Sequence, residues 1–325
     1  AWGAKKKRGE SVVAQLERLS GVRTRVNLQE PPEEEAAPLL RVGAAEGPDR
    51  PTEDSRYQLV GEIARGGVGI IYRGRDRDLG RDVALKVLRT EHADKDVVVT
   101  RFVEEAQIGA QLQHPGIVPV YSLGLQPDGR PHFAMKLVKG RTLGALLESR
   151  RDVGADQRRF LGMFLQACET VSYAHARGVL HRDLKPANVM VGAFGEVLVV
   201  DWGFGKVLGR EERVSKQEPA AKTVIATVRT GSEGSQSLVG SVMGTPAYMP
   251  PEQALGHVEE LDARSDVFSL GAILCEILTG KPPYTGELRD LLVQAAQTRT
   301  EAAFERLAAC DADEALKALV RQCLQ

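Results

Sequence analysis

The stretch EIARGGVGIIYRG, Glu62 to Gly74, sets three glycines, Gly66, Gly67 and Gly69, inside an otherwise apolar and alternating run. Glycine lets a backbone bend freely and approach a ligand closely, so such a loop can fold over phosphates or can simply close a tight turn. No Gly-Lys-Ser/Thr follows Gly69, which excludes a Walker loop. A dinucleotide fingerprint must open a helix, whereas IIYRG alternates and is β-branched, so this loop joins two strands. On this stretch alone the plain turn is favoured, because short glycine patterns are frequent. The cysteines and histidines show no metal-ligand pattern. Cys168, Cys275, Cys310 and Cys323 show no CxxC spacing, and the six histidines include no HExxH. The cysteines read as buried reduced thiols of a cytosolic protein.

The elements that must position such a loop follow from periodicity. YQLVGEI, GIIYRGRD and RDVALKVL read as three strands joined by tight turns, DVVVTRFVEEAQIGAQLQ has helical spacing, and IVPVYSLGL and PHFAMKLV read as two more strands around QPDG. After Gly140 helices dominate: TLGALLESR, RRFLGMFLQACETVSYAHARG and those from Asp262 onward, with the short strand-like runs VMVG and EVLVVD and a long polar segment between. The fold class expected is α+β and bilobal, a small β-rich lobe of five strands and one helix before a larger, mostly helical lobe, with ligands in the crevice. Residues 1–56 form an extension rich in proline and glutamate with one short amphipathic helix; 57–138 and 139–325 are the two lobes. Lysine plus arginine (43) nearly balance aspartate plus glutamate (44), which gives no reason to expect nucleic acid as partner. The most apolar run, VFSLGAILCEIL, is too short to span a bilayer and reads as a buried core helix.

Further motifs stand in a fixed order. VALK places Lys86 on the third strand, Glu105 lies on the next helix, HRDLKPANVM spans His181 to Met190, DWG is Asp201 to Gly203, and GTPAYMPPE runs from Gly244 to Glu252. The ordered set resembles the protein kinase signature, and most closely the bacterial eukaryotic-like (Hanks-type) serine/threonine kinases. The resemblance covers nearly everything from Tyr57 to Gln325. It implies an ATP-dependent protein kinase with Mg²⁺, or Mn²⁺ in its place, as the metal. Lys86 would neutralise the α- and β-phosphates, paired with Glu105 and not with its neighbour Glu104. Asp183 would accept the substrate hydroxyl proton, Lys185 would reach the γ-phosphate, and Asn188 and Asp201 would hold the metal. Ile63, Ile71, Ala84 and Met190 would wall the adenine slot, Met135 would be the gatekeeper, and the backbones of Lys136 and Val138 would face the purine. The glycine loop then covers phosphates, with Gly66 and Gly69 allowing close approach and Ala64 at the family's first glycine. Lys86 and Asp201 are both expected to face a solvated cleft, so that removing either charge costs little core stability.

The family's APE reads Pro250-Pro251-Glu252, and the arginine that normally pairs with its glutamate does not occur before residue 325, as if the second lobe lacked its last helix. Trp202 replaces a commoner phenylalanine, and His181 is expected to pack against it as core. Regulation by autophosphorylation of the activation segment is expected at Ser241 first and Ser237 second, with Arg182, Lys206 and Arg101 as the basic residues that would receive the phosphate. Partners implied are ATP, protein substrates and a second copy for trans-autophosphorylation; the location implied is cytoplasmic. Two competing readings stay open: a pseudokinase scaffold without turnover, and a small-molecule kinase, against which stand Lys185 and the long segment ending in GTPAYMPPE.

Overall fold

The computed structural model describes residues 56–207 and 244–325, with backbone alone at 204, 206 and 207. The extension with its expected helix, and Ser237 and Ser241, lie outside these residues. Two compact units emerge: residues up to Ala106 with Pro119–Lys139, and Gln107–Val118 with Gly140–Gln325.

The first unit is a five-stranded antiparallel sheet in the order β1-β2-β3-β5-β4, with β1 Tyr57–Arg65, β2 Gly69–Asp76, β3 Arg81–Leu88, β4 Val120–Leu125 and β5 Pro131–Lys136. This is the small lobe that the strand pattern predicts. The register sorts its side chains. Ile71, Lys86 and Phe133 oppose one another in one row, and Arg73, Ala84 and Met135 in the next. The period of two puts both rows on one face. Ile70, Tyr72, Leu85, Val87 and Ala134 take the other face and form a core with Tyr57 and Val83. On the Lys86 face, helix α1 (Asp96–Gln111) lays Phe102 and Ala106 against Leu88 and Phe133. The rings of Phe102 and Phe133 meet at 5.2 Å, a tilted aromatic pair that fixes how the helix lies on the sheet.

In the second unit, β6 (Gly140–Thr142) leads into α2 (Leu143–Glu148), whose first turn is capped by the Thr142 hydroxyl accepting from the Ala145 amide. Helix α3 (Gln157–Ala176) precedes a run of short strands: β7 (Val179–Leu180), β8 (Val189–Gly192), β9 (Val197–Val199) and β10 (Lys206–Val207). β6, β8 and β9 make one sheet and β7 pairs with β10. The single helical turn α4 (Pro251–Ala254) precedes α5 (Ala263–Thr279), α6 (Leu288–Ala296), α7 (Glu301–Ala309) and α8 (Glu314–Cys323). α5 carries the apolar run, and it is buried along most of its length, from Ser265 to Leu278. Asp262 caps its start and Gly280, at φ 80°, ends it. Its apolarity is therefore that of a central core helix. Among the described residues no helix is long and apolar enough to cross a membrane. All four cysteines are free thiols; burial, with Cys323 nearby, pushes Cys168 up to about 12.

Candidate active site

The glycine loop is a hairpin tip of three residues, 66–68, between β1 and β2. Its glycines have different reasons to be there. A Cβ on Gly69 would meet the Val87 carbonyl at 3.1 Å and the Phe102 ring at 3.3 Å, so this glycine is demanded by packing within the sheet. Gly67 has nothing within 4 Å of such an atom, and Gly66 would touch the Gly69 carbonyl at an ordinary 3.5 Å. Neither has a left-handed φ. The fold itself thus accounts for Gly69 and places no steric demand on Gly66 or Gly67. Ala64 pairs with Ile71 and is exposed. Ala64→Gly is expected to change the Michaelis constant for ATP by no more than a few-fold, since one exposed methyl is lost; a hundredfold change in a steady-state assay would give that methyl a specific role.

Lys86 Nζ donates to both oxygens of Glu105, at 2.6 and 2.8 Å. The two side chains are only 14% and 13% exposed. The expectation that the Lys86 charge can be removed at little cost to stability is corrected here: β3 and α1 hold the pair mostly out of water, and the ammonium lies 5.9 Å from the Phe133 ring. Glu104 is itself buried, not a surface charge. Ile71, Ala84 and Met135 share the Lys86 face, while Ile63 sits at a register shift of β1. The Lys136 amide donates to Pro119 at 3.0 Å. The Val138 backbone has no hydrogen-bond partner among the described residues.

In the second unit β7 leads directly into the HRD segment, and β10 pairs back onto β7 (Lys206 opposite Leu180, Val207 opposite Val179). This closes a loop with Asp183, Lys185 and Asn188 on one limb and Asp201 on the other. Val189 pairs with Val199 and the Val200 amide donates to the Asn188 carbonyl at 2.9 Å, so Asn188 and Asp201 end adjacent segments. Asp183 is 5% exposed and its carboxylate is fully engaged. One oxygen accepts from the Thr245 hydroxyl at 3.0 Å; the other accepts from Lys185 Nζ at 2.8 Å and Asn188 Nδ2 at 3.1 Å. Lys185 also donates to Thr245 Oγ1 at 2.6 Å. His181 is a structural member. Its Nδ1 accepts from the Asp183 amide, so Nε2 keeps its hydrogen and donates to the Val200 carbonyl, while its ring lies 4.7 Å from that of Trp202.

Two of the four described non-glycine residues with left-handed backbone flank this centre: Arg182 at φ 69° and Asp201 at φ 64°. Such conformations cost about 1–3 kcal/mol each and persist where the surroundings hold them. For Arg182 the hold is visible: its amide donates to Asp266 Oδ1 and its carbonyl accepts from Gln253 Nε2. Asp201 is exposed. Among the described residues no donor reaches its carboxylate, and Asn188 spends its amide nitrogen on Asp183, which leaves Oδ1 open. Two hard oxygens suit Mg²⁺, which takes one or two protein ligands and completes its shell with phosphate and water. Among the described residues no group of three or more His, Cys, Asp or Glu could hold a metal unaided.

Residues 57–325 match the protein kinase domain family. The chain belongs to the protein kinase family. It is 36% identical over 242 residues to serine/threonine-protein kinase PknD of Chlamydia pneumoniae, covering 70% of this chain and 24% of that protein. To PknD of Chlamydia trachomatis serovar L2b it is 39% identical over 239 residues, 70% of this chain and 25% of that protein. To PknD of Protochlamydia amoebophila it is 33% identical over 246 residues, 72% and 24% of the two chains. The kinase chain thus spans about a quarter of the length of these relatives. Its kinship is with bacterial Hanks-type serine/threonine kinases.

The kinase holds functional neighbours that the sequence left unassigned. Thr245 is one, bonded to Asp183 across 62 positions. Asp266 is another, fully buried in α5 and accepting from His175, His181 and Arg182. Glu252 accepts from the Ser265 hydroxyl at 2.5 Å, so a partner other than arginine stands at the PPE glutamate. Of the basic residues assigned to a phosphate switch, Arg182 and Arg101 belong to different units and the side chain of Lys206 lies outside the description.

Proposed function

We propose that this chain transfers the γ-phosphoryl group of ATP to serine or threonine hydroxyls of proteins. The observation that carries this reading is the Asp183 carboxylate, nearly enclosed yet accepting a hydrogen bond from an alcohol, Thr245. A substrate hydroxyl presents the same donor. As its oxygen bonds to the γ-phosphorus, the bond to the β–γ bridging oxygen breaks, ADP leaves with that electron pair, and the hydroxyl proton passes to Asp183. Lys185, already bound to Asp183, carries the positive charge that would meet the transferred group. Lys86, pre-set by Glu105, would meet the α- and β-phosphates. Asn188 and Asp201 would hold Mg²⁺, which supplies neutralisation of phosphate charge. Gly66 and Gly67 would lie over the phosphates, and Ile63, Ile71, Ala84, Met135 and Met190 would line the adenine, with Lys136 and Val138 backbone groups at its edge.

The test is intact-mass measurement after incubation with Mg²⁺ and ATP, beside Asp201→Asn. Wild type should gain phosphates and Asp201→Asn should gain none with an unchanged melting temperature, because Asp201 is exposed. A wild type that binds ATP and never gains or transfers phosphate would be a scaffold. The same reading includes control by phosphorylation at Ser241 or Ser237, between copies of the chain. Phosphopeptide mapping and the activity of the double alanine variant test the sites, and a rate of phosphorylation that rises with the square of protein concentration tests the two-copy step.

A further inference from the structure

The tip of the glycine loop is held from outside. The carbonyls of three consecutive residues are bonded by the short segment after β3. Arg89 Nη1 donates to Gly66 O at 3.4 Å, His92 Nε2 donates to Gly67 O at 2.8 Å, and the Arg89 amide donates to Val68 O at 3.1 Å. The holding side chains are themselves ordered: Arg89 Nη2 donates to Glu91 at 2.9 Å, and Glu91 also lies 3.4 Å from His92 Nε2. Lys95 Nζ stands 3.3 Å from His92 Nδ1. An ammonium has no lone pair, so Nδ1 accepts and Nε2 carries the hydrogen it gives to Gly67.

In a trans peptide the carbonyl and the following N–H point in opposite directions. Fixing the carbonyls of Gly66 and Gly67 toward Arg89 and His92 therefore turns the N–H groups of Gly67 and Val68 the other way. Among the described residues neither N–H finds an acceptor. Gly66 and Gly67 have no steric partner of their own to set these peptide planes, and glycine has the largest freedom to lose. We infer that Arg89 and His92 are positioning residues that orient the loop's peptide planes, so that consecutive free N–H groups of Gly67 and Val68 are presented to the phosphates of the nucleotide. Successive backbone N–H groups held in this way form an anion-binding concavity. This rests on the kinase reading above and adds to it the residues that prepare the loop.

The test separates nucleotide affinity from turnover. His92→Ala should raise the Michaelis constant for ATP and the dissociation constant for its non-hydrolysable analogue AMPPNP with Mg²⁺ by about five- to tenfold, the worth of one neutral hydrogen bond. The turnover number should stay within about twofold and the Michaelis constant for a protein substrate should not move, because uniform nucleotide binding is lost and nothing made only in the transition state. Arg89→Ala, losing the longer bond, should have the smaller effect. His92→Gln, whose amide can donate from about the place of Nε2, should restore most of the affinity with no gain in melting temperature. The inference is overturned if His92→Ala binds AMPPNP as wild type does, or if His92→Gln is as weak as His92→Ala, which would make the ring a packing element. A wild type that binds no AMPPNP overturns both this inference and the kinase reading. Binding that is intact in wild type and in both alanine variants overturns this one alone.

Discussion

Asp183→Asn lowers the rate of phosphoryl transfer by about 10²- to 10⁴-fold, the range for loss of a positioned proton acceptor, and leaves nucleotide affinity near wild type. The geometry makes this change clean. Asparagine keeps one carbonyl oxygen that can accept from Lys185 and Asn188, and its amide can turn to Thr245 Oγ1, so the network of Asp183, Lys185, Asn188 and Thr245 can survive in shape. What is lost is the negative charge and the ability to take a proton. Lys185 loses its counter-ion, but its side chain is 24% exposed and can be hydrated, so the folded state should persist. Single-turnover transfer from ATP, with thermal melting alongside, separates the two effects. A rate within tenfold of wild type at saturating ATP would show that Asp183 merely holds Lys185 and Thr245 in place.

Lys86→Met is a less discriminating probe of the same reaction, and the reason lies in a difference between sequence and structure. Alternation in RDVALKVL shows which residues share a face with Lys86, and the observed register keeps Ile71, Ala84, Lys86 and Met135 together. Alternation cannot show what covers that face. The helix placed by Phe102 and Phe133 buries the Lys86–Glu105 pair, so removing the lysine strands a carboxylate. Gly69 failed to be legible for a similar reason: its neighbours Val87 and Phe102 are set by register and helix packing, not by the loop's own sequence. The motif loops were readable because, taken in order, they resemble the protein kinase signature, and the family match over residues 57–325 bears that resemblance out. β6, β7 and β10 were not, since two or three residues carry no period. Thr245 was quoted within GTPAYMPPE, yet nothing local in that string signals a bond to Asp183. Asp266 sits where an acid normally complements a helix N-terminus, so its buried role was hidden behind an ordinary one.

That buried role supports the second large effect: Asp266→Asn destabilises the kinase by about 2–4 kcal/mol at neutral pH and loosens the catalytic loop. Asp266 Oδ2 accepts from His175 Nε2 at 2.7 Å and from the His181 amide at 2.8 Å, and Oδ1 accepts from the Arg182 amide at 2.9 Å. Three donors converge on a fully buried group. Asparagine has one acceptor oxygen, so its amide nitrogen must face a donor, and at least one buried N–H loses its partner. Burial pushes the Asp266 carboxyl up, but the hydrogen bond from His175, the electrostatic attraction of the neighbouring imidazoles and the hydrogen bond from the His181 amide outweigh it and hold the carboxyl below its ordinary range. A carboxyl depressed by folding contributes stability above its unfolded value, near 3.9, and that contribution is lost as pH falls through the lower folded value. The gap between wild type and Asp266→Asn should therefore be full at pH 7 and shrink below about pH 4. The loop consequence follows from Arg182. Its left-handed backbone is held by Asp266 on one side and Gln253 on the other, and with the first hold weakened the strain can relax by moving Asp183, one residue on. Folded Asp266→Asn should then show a lower turnover number with little change in the Michaelis constant for ATP. Urea unfolding of both proteins between pH 3 and pH 7 measures the first effect and steady-state kinetics at low temperature the second. A neutral-pH difference under 1 kcal/mol, or a turnover number equal to that of wild type, would remove Asp266 as the support of the catalytic loop.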